Sequence, residues 1–272
     1  MLQTLLDGID THQILTDPFP HLVVPQALPE ALHQQLLAAY PPLEILTFGA
    51  QYLSNQRFNL MGSDVMNNPK IDPVWREFVH LHVSELFLRQ MVQLFKTSLL
   101  ARYPNFEKNI GPLSSLRPGL RLVDDYQKAD VLLDALLAVN TPVTDAPSSV
   151  RRGHVDWPNK LFVGLYYLRH PEDTAEGGEL ELYRFAGSRH RMQKASIEDQ
   201  YIEVVKTIPY HSNTLIMFLN CIDALHGVTV RQVTPFHRCF VNLLVEVEHP
   251  LFNLDKYQSQ WWKRAKALVL FQ

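Results

Sequence analysis

From about residue 120 onward, short apolar or alternating runs recur at close intervals, cut by clusters of Gly, Pro, Asn, Asp and Ser. The runs are Leu132–Val139, Leu161–Leu168, Glu179–Phe185, Tyr201–Ile208, Thr214–Leu219 and Cys239–Val247. Segments this short, bounded by turn residues, read as β-strands. No helical pattern separates them in the regular alternation a parallel sheet needs. The texture therefore predicts a sandwich or barrel rather than an alternating α/β fold.

The first 120 residues read differently. Thr16 to Pro25 is a short strand punctuated by prolines, and Pro29 to Ala39 is a helix starting near a proline. From Pro73 through Arg102 the spacing of Trp75, Phe78, Val79, Leu86, Met91, Leu94 and Phe95 is helical and long enough for one scaffold helix. His80 and His82 lie two apart, on different faces of that helix, so they read as structural. The expected whole is a single domain: a mainly β core over 121–250 buttressed by helices over 1–120, with a closing helix near 251–268. The last residues, Ala267 to Gln272, resemble the site at which a picornaviral protease removes purification tags; they also suit the end of an amphipathic helix.

Composition narrows the function. The chain has 272 residues, 46% hydrophobic and 19% charged, enough apolar material for a sizeable core. A net charge of -3 argues against nucleic-acid binding by a broad basic surface and against a polybasic membrane anchor. Two cysteines, Cys221 and Cys239, exclude a disulfide framework and argue against a thiolate zinc cage; they read as packing residues. The start of the chain lacks a signal peptide's basic and apolar regions, so the default expectation is a soluble cytoplasmic protein. Twelve histidines stand out.

His154-Val155-Asp156 is the first candidate site. In an extended segment, residues two apart face the same way, so an imidazole and a carboxylate converge on one point, as a metal requires. Alone the signal is poor, since about one His-x-Asp/Glu triplet is expected by chance at this composition. The other triplet, His170-Pro171-Glu172, lies past the far end of the Leu161–Leu168 run. Only His154 has a fitting sequel. A Gly177-Gly178-Glu179-Leu180 segment follows, then an apolar strand, then His226-Gly227, and twelve residues later Arg238 on another apolar strand.

The stretch from Arg152 to Val247 resembles the iron(II)- and 2-oxoglutarate-dependent oxygenases, and among them the prolyl-4-hydroxylase-like group. The resemblance rests on His154-Val155-Asp156-Trp157-Pro158-Asn159, Leu165-Tyr166-Tyr167-Leu168, Gly177-Gly178, His226 and Arg238, with Val139-Asn140-Thr141-Pro142-Val143 upstream. It implies a double-stranded β-helix, or jelly-roll, holding a metal inside one end. His154, Asp156 and His226 would be the two-histidine, one-carboxylate iron triad. Arg238 would anchor the distal carboxylate of 2-oxoglutarate through its planar fork, with Arg231 as the competitor and Tyr167 adding a hydroxyl. Asn140 and Asn242 are further contacts near the cosubstrate.

The resemblance also implies the reaction: dioxygen and 2-oxoglutarate consumed, succinate and carbon dioxide released, and an unactivated carbon of a small molecule or peptidyl residue hydroxylated. Ascorbate is an optional accessory reductant. Desaturation and cyclisation use the same triad; Asp156 disfavours halogenation, which needs a small residue there. The alternative is a non-catalytic jelly-roll that binds metal or ligand as a sensor. Arg151 and Arg152 read as a solvated loop pair that could also attract an anion. Trp157 walls the substrate side or caps the sandwich, and Arg189, His190 and Arg191 read as a loop. Substrate identity and oligomeric state carry no sequence signal.

Overall fold

A computed structural model describes residues 3–187, 192 and 195–254. The proposed C-terminal helix, the 267–272 segment and the Arg189 to Arg191 stretch lie outside the described residues.

Among the described residues, ten strands form two sheets. The larger contains β1 (His21–Pro25), β2 (Arg57–Leu60), β3 (Pro118–Leu120), β4 (Val131–Asn140), β5 (Lys160–Tyr167), β8 (Thr214–Leu219) and β10 (Arg238–Glu246). Their order is β1-β8-β5-β10-β4-β2, with β3 parallel to the start of β4 and the other pairings antiparallel. The smaller sheet has β6 (Leu180–Phe185) between β7 (Ile202–Ile208) and β9 (His226–Val228). This is the jelly-roll that the resemblance implied. The six sequence runs match β4, β5, β6, β7, β8 and β10 to within a residue or two at each end.

The apolar continuity of β4 has a simple cause: all ten of its residues are buried. Leu133, Ala135, Leu137 and Val139 pack against the helices, whereas Leu136 and Ala138 face the smaller sheet. A strand covered on both faces loses the alternation expected of a half-exposed one. β10 follows suit, with Val241, Leu243 and Val245 on the helical side and Phe240 and Leu244 between the sheets. Arg238 and Asn242 share the inter-sheet parity, so two polar residues are inserted into an apolar layer.

Six α-helices among the described residues pack around the larger sheet: α1 (Glu30–Ala38), α2 (Leu43–Leu46), α3 (Gly62–Asn67), α4 (Pro73–His82), α5 (Glu85–Arg102) and α6 (Phe106–Asn109). The single scaffold helix expected over Pro73 to Arg102 is in fact two. Ser84 stops the first by donating to the Leu81 carbonyl and caps the second by accepting from the Phe87 amide. That hydroxyl competes with continued helix, an effect the apolar periodicity conceals. His82 is structural as expected. Buried at the end of α4, it bonds the Phe78 carbonyl through Nδ1 (2.7 Å) and accepts from the Leu5 amide through Nε2 (3.0 Å). No helix among the described residues is long and apolar enough to cross a membrane.

Candidate metal and anion site

His154, Val155 and Asp156 are not in a strand, contrary to the extended-strand reading. Instead they form an irregular segment pinned by isolated bridges. The alternation survives nonetheless. Val155 is fully buried in an apolar cluster with Tyr183, Ile197 and Leu225, leaving its two neighbours to face the cleft. His154 exchanges both backbone hydrogen bonds with His226, each 2.9 Å, which sets the two imidazoles side by side with ring centroids 4.1 Å apart. Their Nδ1 atoms are held by the Arg152 and Ala224 carbonyls at 2.8 and 2.9 Å. Each Nδ1 therefore carries the proton, leaving Nε2 free as a metal donor.

Asp156 completes the group. One potential ligand atom from each of His154, Asp156 and His226 lies within 4.8 Å of the others, and all three residues are buried. It is the one such group found among the described residues. Burial pushes the Asp156 carboxyl up, but Lys160 and the two imidazoles more than offset this and hold it well below the usual carboxylate range. Lys160 Nζ takes Oδ1 at 3.0 Å, while Oδ2 faces His226 Nε2 at 3.6 Å. Burial also lowers both imidazoles, His154 further because His226 adjoins it. The donor set is thus two neutral imidazoles and one carboxylate on one side of a cavity, which fits a six-coordinate iron(II) with open positions.

The triad opens on a cleft of about 420 Å³ between the two sheets. Arg238, 2% exposed, lies on its wall. Nε donates to the Gly178 carbonyl (2.9 Å), and the guanidinium carbon sits 5.0, 4.8 and 4.9 Å from the ring centres of Tyr167, Tyr210 and Phe240. Its Nη2 has no partner, and no carboxylate lies within 4.0 Å among the described residues. The Tyr167 hydroxyl is likewise buried without a partner, as are both amide atoms of Asn140, the residue directly opposite Arg238 on β4. Burial raises the Tyr167 phenol, against the pull of the Arg238 charge. A buried cation beside a lone hydroxyl and a lone amide is costly, and an anion there would accept from the guanidinium, the hydroxyl and the amide N–H.

Arg231 differs. It too is 2% exposed, but its Nη2 bonds Asp173 at 2.8 Å, so its charge is already met. Gly177 explains why the chain passes so close by: with φ of +89°, a Cβ there would fall 1.9 Å from the Val230 carbonyl oxygen. Asn242 lines the cleft four residues past Arg238. With its amide oriented to satisfy both neighbours, it accepts from Arg57 Nη2 (3.0 Å) and donates to the Gly164 carbonyl (3.3 Å).

Trp157 lines the cleft and is 57% exposed. Arg151 approaches Asp156 at 3.7 Å, and Arg152 turns outward to Asp199 at 2.6 Å, so the loop pair divides. His170 lies away from the triad, stacked on Phe236. Arg57, Asn59, Arg121, Lys160 and Glu246 also line the cleft, and none of them was recognised in the sequence. Lys160 follows Asp156 by four positions, but in a non-helical segment that spacing signals nothing. Two larger hollows of about 640 Å³ lie elsewhere and contain none of these residues.

The jelly-roll with its outer helices is a fold that this chain shares with a solved prolyl 4-hydroxylase. A prolyl 4-hydroxylase structure from Phytophthora capsici matches 97% of this chain and 74% of its own, at a TM-score of 0.52 and 14% identity. A Pseudomonas putida prolyl-4-hydroxylase (84% and 93% covered, 0.43, 11%) and the carbocyclase SnoK of nogalamycin biosynthesis (96% and 94%, 0.49, 12%) are also similar. No protein-family profile matches the chain, and neither does any curated protein sequence.

Proposed function

We propose that the chain is a 2-oxoglutarate-dependent iron(II) dioxygenase that hydroxylates an unactivated carbon of a small molecule or peptidyl residue. The observation that carries this reading is the unsatisfied set of Arg238, Tyr167 and Asn140 beside the triad, since a metal-only site has no use for a buried cation without a counter-ion. His154, Asp156 and His226 are the metal ligands on this reading, and Arg238 with Tyr167 receives the distal carboxylate. Asn140 and Asn242 lie on the same wall. When bound, iron and 2-oxoglutarate supply the redox chemistry, giving succinate, carbon dioxide and a hydroxylated product.

The protein's own contribution is placement. The two backbone carbonyls fix the imidazole tautomers, and Lys160 holds one carboxylate oxygen away from the metal position. The apolar walls of Leu136, Val163, Leu165 and Leu180 limit water around the reacting centre. The jelly-roll and its helices act as one domain on this reading.

The test is release of labelled carbon dioxide from 1-labelled 2-oxoglutarate by the iron-loaded protein, with and without ascorbate. Slow, iron-dependent release that is abolished in His226→Ala and Arg238→Ala supports the reading. Absence of release from folded, metal-loaded protein, together with no binding of 2-oxoglutarate, contradicts it.

A further inference from the structure

The cleft has more positive charge than the proposed cosubstrate uses. Arg57, Arg121, Arg151, Lys160 and Arg238 line it, against only the carboxylates of Asp156 and Glu246. That local excess of three stands in a chain whose net charge is -3. A divalent metal and dianionic 2-oxoglutarate cancel each other, so loading the site leaves the excess intact.

Most of these cations are already engaged. Arg121 bonds Glu246 (3.0 Å) and the buried Asp134 (3.4 Å), Lys160 holds Asp156, and Arg238 belongs to the proposed cosubstrate anchor. Arg57 is the exception. It sits on edge strand β2, in register with Asn140 and, one strand further, Arg238. Its guanidinium lies 5.0 Å from the centre of the same Phe240 ring that Arg238 approaches. Two neutral amides aim it, with Nε donating to Asn59 (3.0 Å) and Nη2 to Asn242. Among the described residues no carboxylate lies within 4.0 Å of it. Arg57 is exposed at the edge of the cleft, and its guanidinium is a cation at neutral pH.

A guanidinium held in place by neutral side chains, with no carboxylate partner and open to the cleft, is suited to receive an anion. We propose that Arg57 binds a carboxylate of the substrate to be oxidised, with Arg151 at the cleft mouth adding to its attraction, so that the substrate is a small carboxylic acid rather than a neutral residue within a peptide chain. This rests on the dioxygenase reading above and names its substrate class. Asn59 and Asn242 are then positioning residues, since they act through Arg57.

The test is saturation-transfer NMR on the full chain loaded with zinc, which supplies no redox chemistry, and saturating 2-oxoglutarate. The probes are acetate and its neutral counterpart acetamide. The proposal expects transfer to acetate but not acetamide, an acetate affinity that falls about tenfold in Arg57→Gln, partial recovery in Arg57→Lys, and 2-oxoglutarate affinity unchanged in both. Equal transfer to the two probes, or acetate binding indifferent to Arg57→Gln, overturns it. A tenfold loss of 2-oxoglutarate affinity in Arg57→Gln also overturns it, because Arg57 would then belong to the cosubstrate anchor while the dioxygenase reading stands. Failure of the wild-type, zinc-loaded protein to bind 2-oxoglutarate sinks the dioxygenase reading instead. Acetate titration of Arg238→Gln without cosubstrate then decides the Arg57 site independently.

Discussion

Replacing Arg238 with Met separates stability from function. Arg238 is 2% exposed and lacks a carboxylate partner, so its desolvation costs several kcal/mol. Three ring contacts return about 0.5–2 kcal/mol each. The bond to the Gly178 carbonyl returns about 1.5–3 kcal/mol. These terms nearly cancel. A Met of similar length loses the bond but also the desolvation cost, so Arg238→Met is expected to be neutral or stabilising by up to about 2 kcal/mol. In a chain of this size that is at most about 6 °C in Tm. Saturating 2-oxoglutarate reverses the order: at a hundred times the wild-type Kd the zinc-loaded wild type gains about 2.7 kcal/mol, whereas the variant, binding far more weakly, gains little. Differential scanning fluorimetry with zinc, with and without 2-oxoglutarate, reads both effects. A ligand-free variant less stable than wild type by more than about 3 kcal/mol would mean that Arg238 is already satisfied, because that is the loss expected when a satisfied buried charge is broken.

Arg231 provides the contrast: Asp173→Asn removes the counter-ion of a buried pair, is expected to destabilise by about 3–5 kcal/mol in urea unfolding, and leaves 2-oxoglutarate affinity unchanged. Gly177→Ala sets a Cβ against the Val230 carbonyl at a positive φ, and the same unfolding experiment should show a loss of at least about 2 kcal/mol. Burial lowers the His82 imidazole from 6.5 to about 4, so the unfolded chain binds the extra proton first as pH falls. Its contribution is fully present above pH 6.5 and is lost progressively toward pH 4, by about 3 kcal/mol in total. Urea midpoints across that range should drop in wild type and flatten in His82→Gln; parallel slopes would contradict the assignment.

The jelly-roll strands were legible because burial on both faces writes uninterrupted apolar runs, of which β4 is the extreme case. The helical break at Ser84 was hidden: one hydroxyl outweighs a periodicity that continues across it. The irregular segment of His154 to Asp156 shows that convergence of two ligands needs alternation but not a ladder. His154 is located instead by its backbone pairing with His226, a contact across 72 residues that no local pattern encodes. Arg238 and Arg231 could not be separated in the sequence because what distinguishes them is the position of Asp173. Arg57 was invisible for the same reason: it reaches the cleft only because the short β2 pairs with the end of β4.

Anaerobic absorbance titration with iron(II) and then 2-oxoglutarate reads the proposed joint metal and cosubstrate site of His154, Asp156, His226 and Arg238. The structure predicts a weak visible charge-transfer band that requires both additions. It should vanish in His226→Ala and need far higher 2-oxoglutarate in Arg238→Met. A band absent from folded, iron-loaded wild type, or one formed equally well by Arg238→Met, would contradict that joint site.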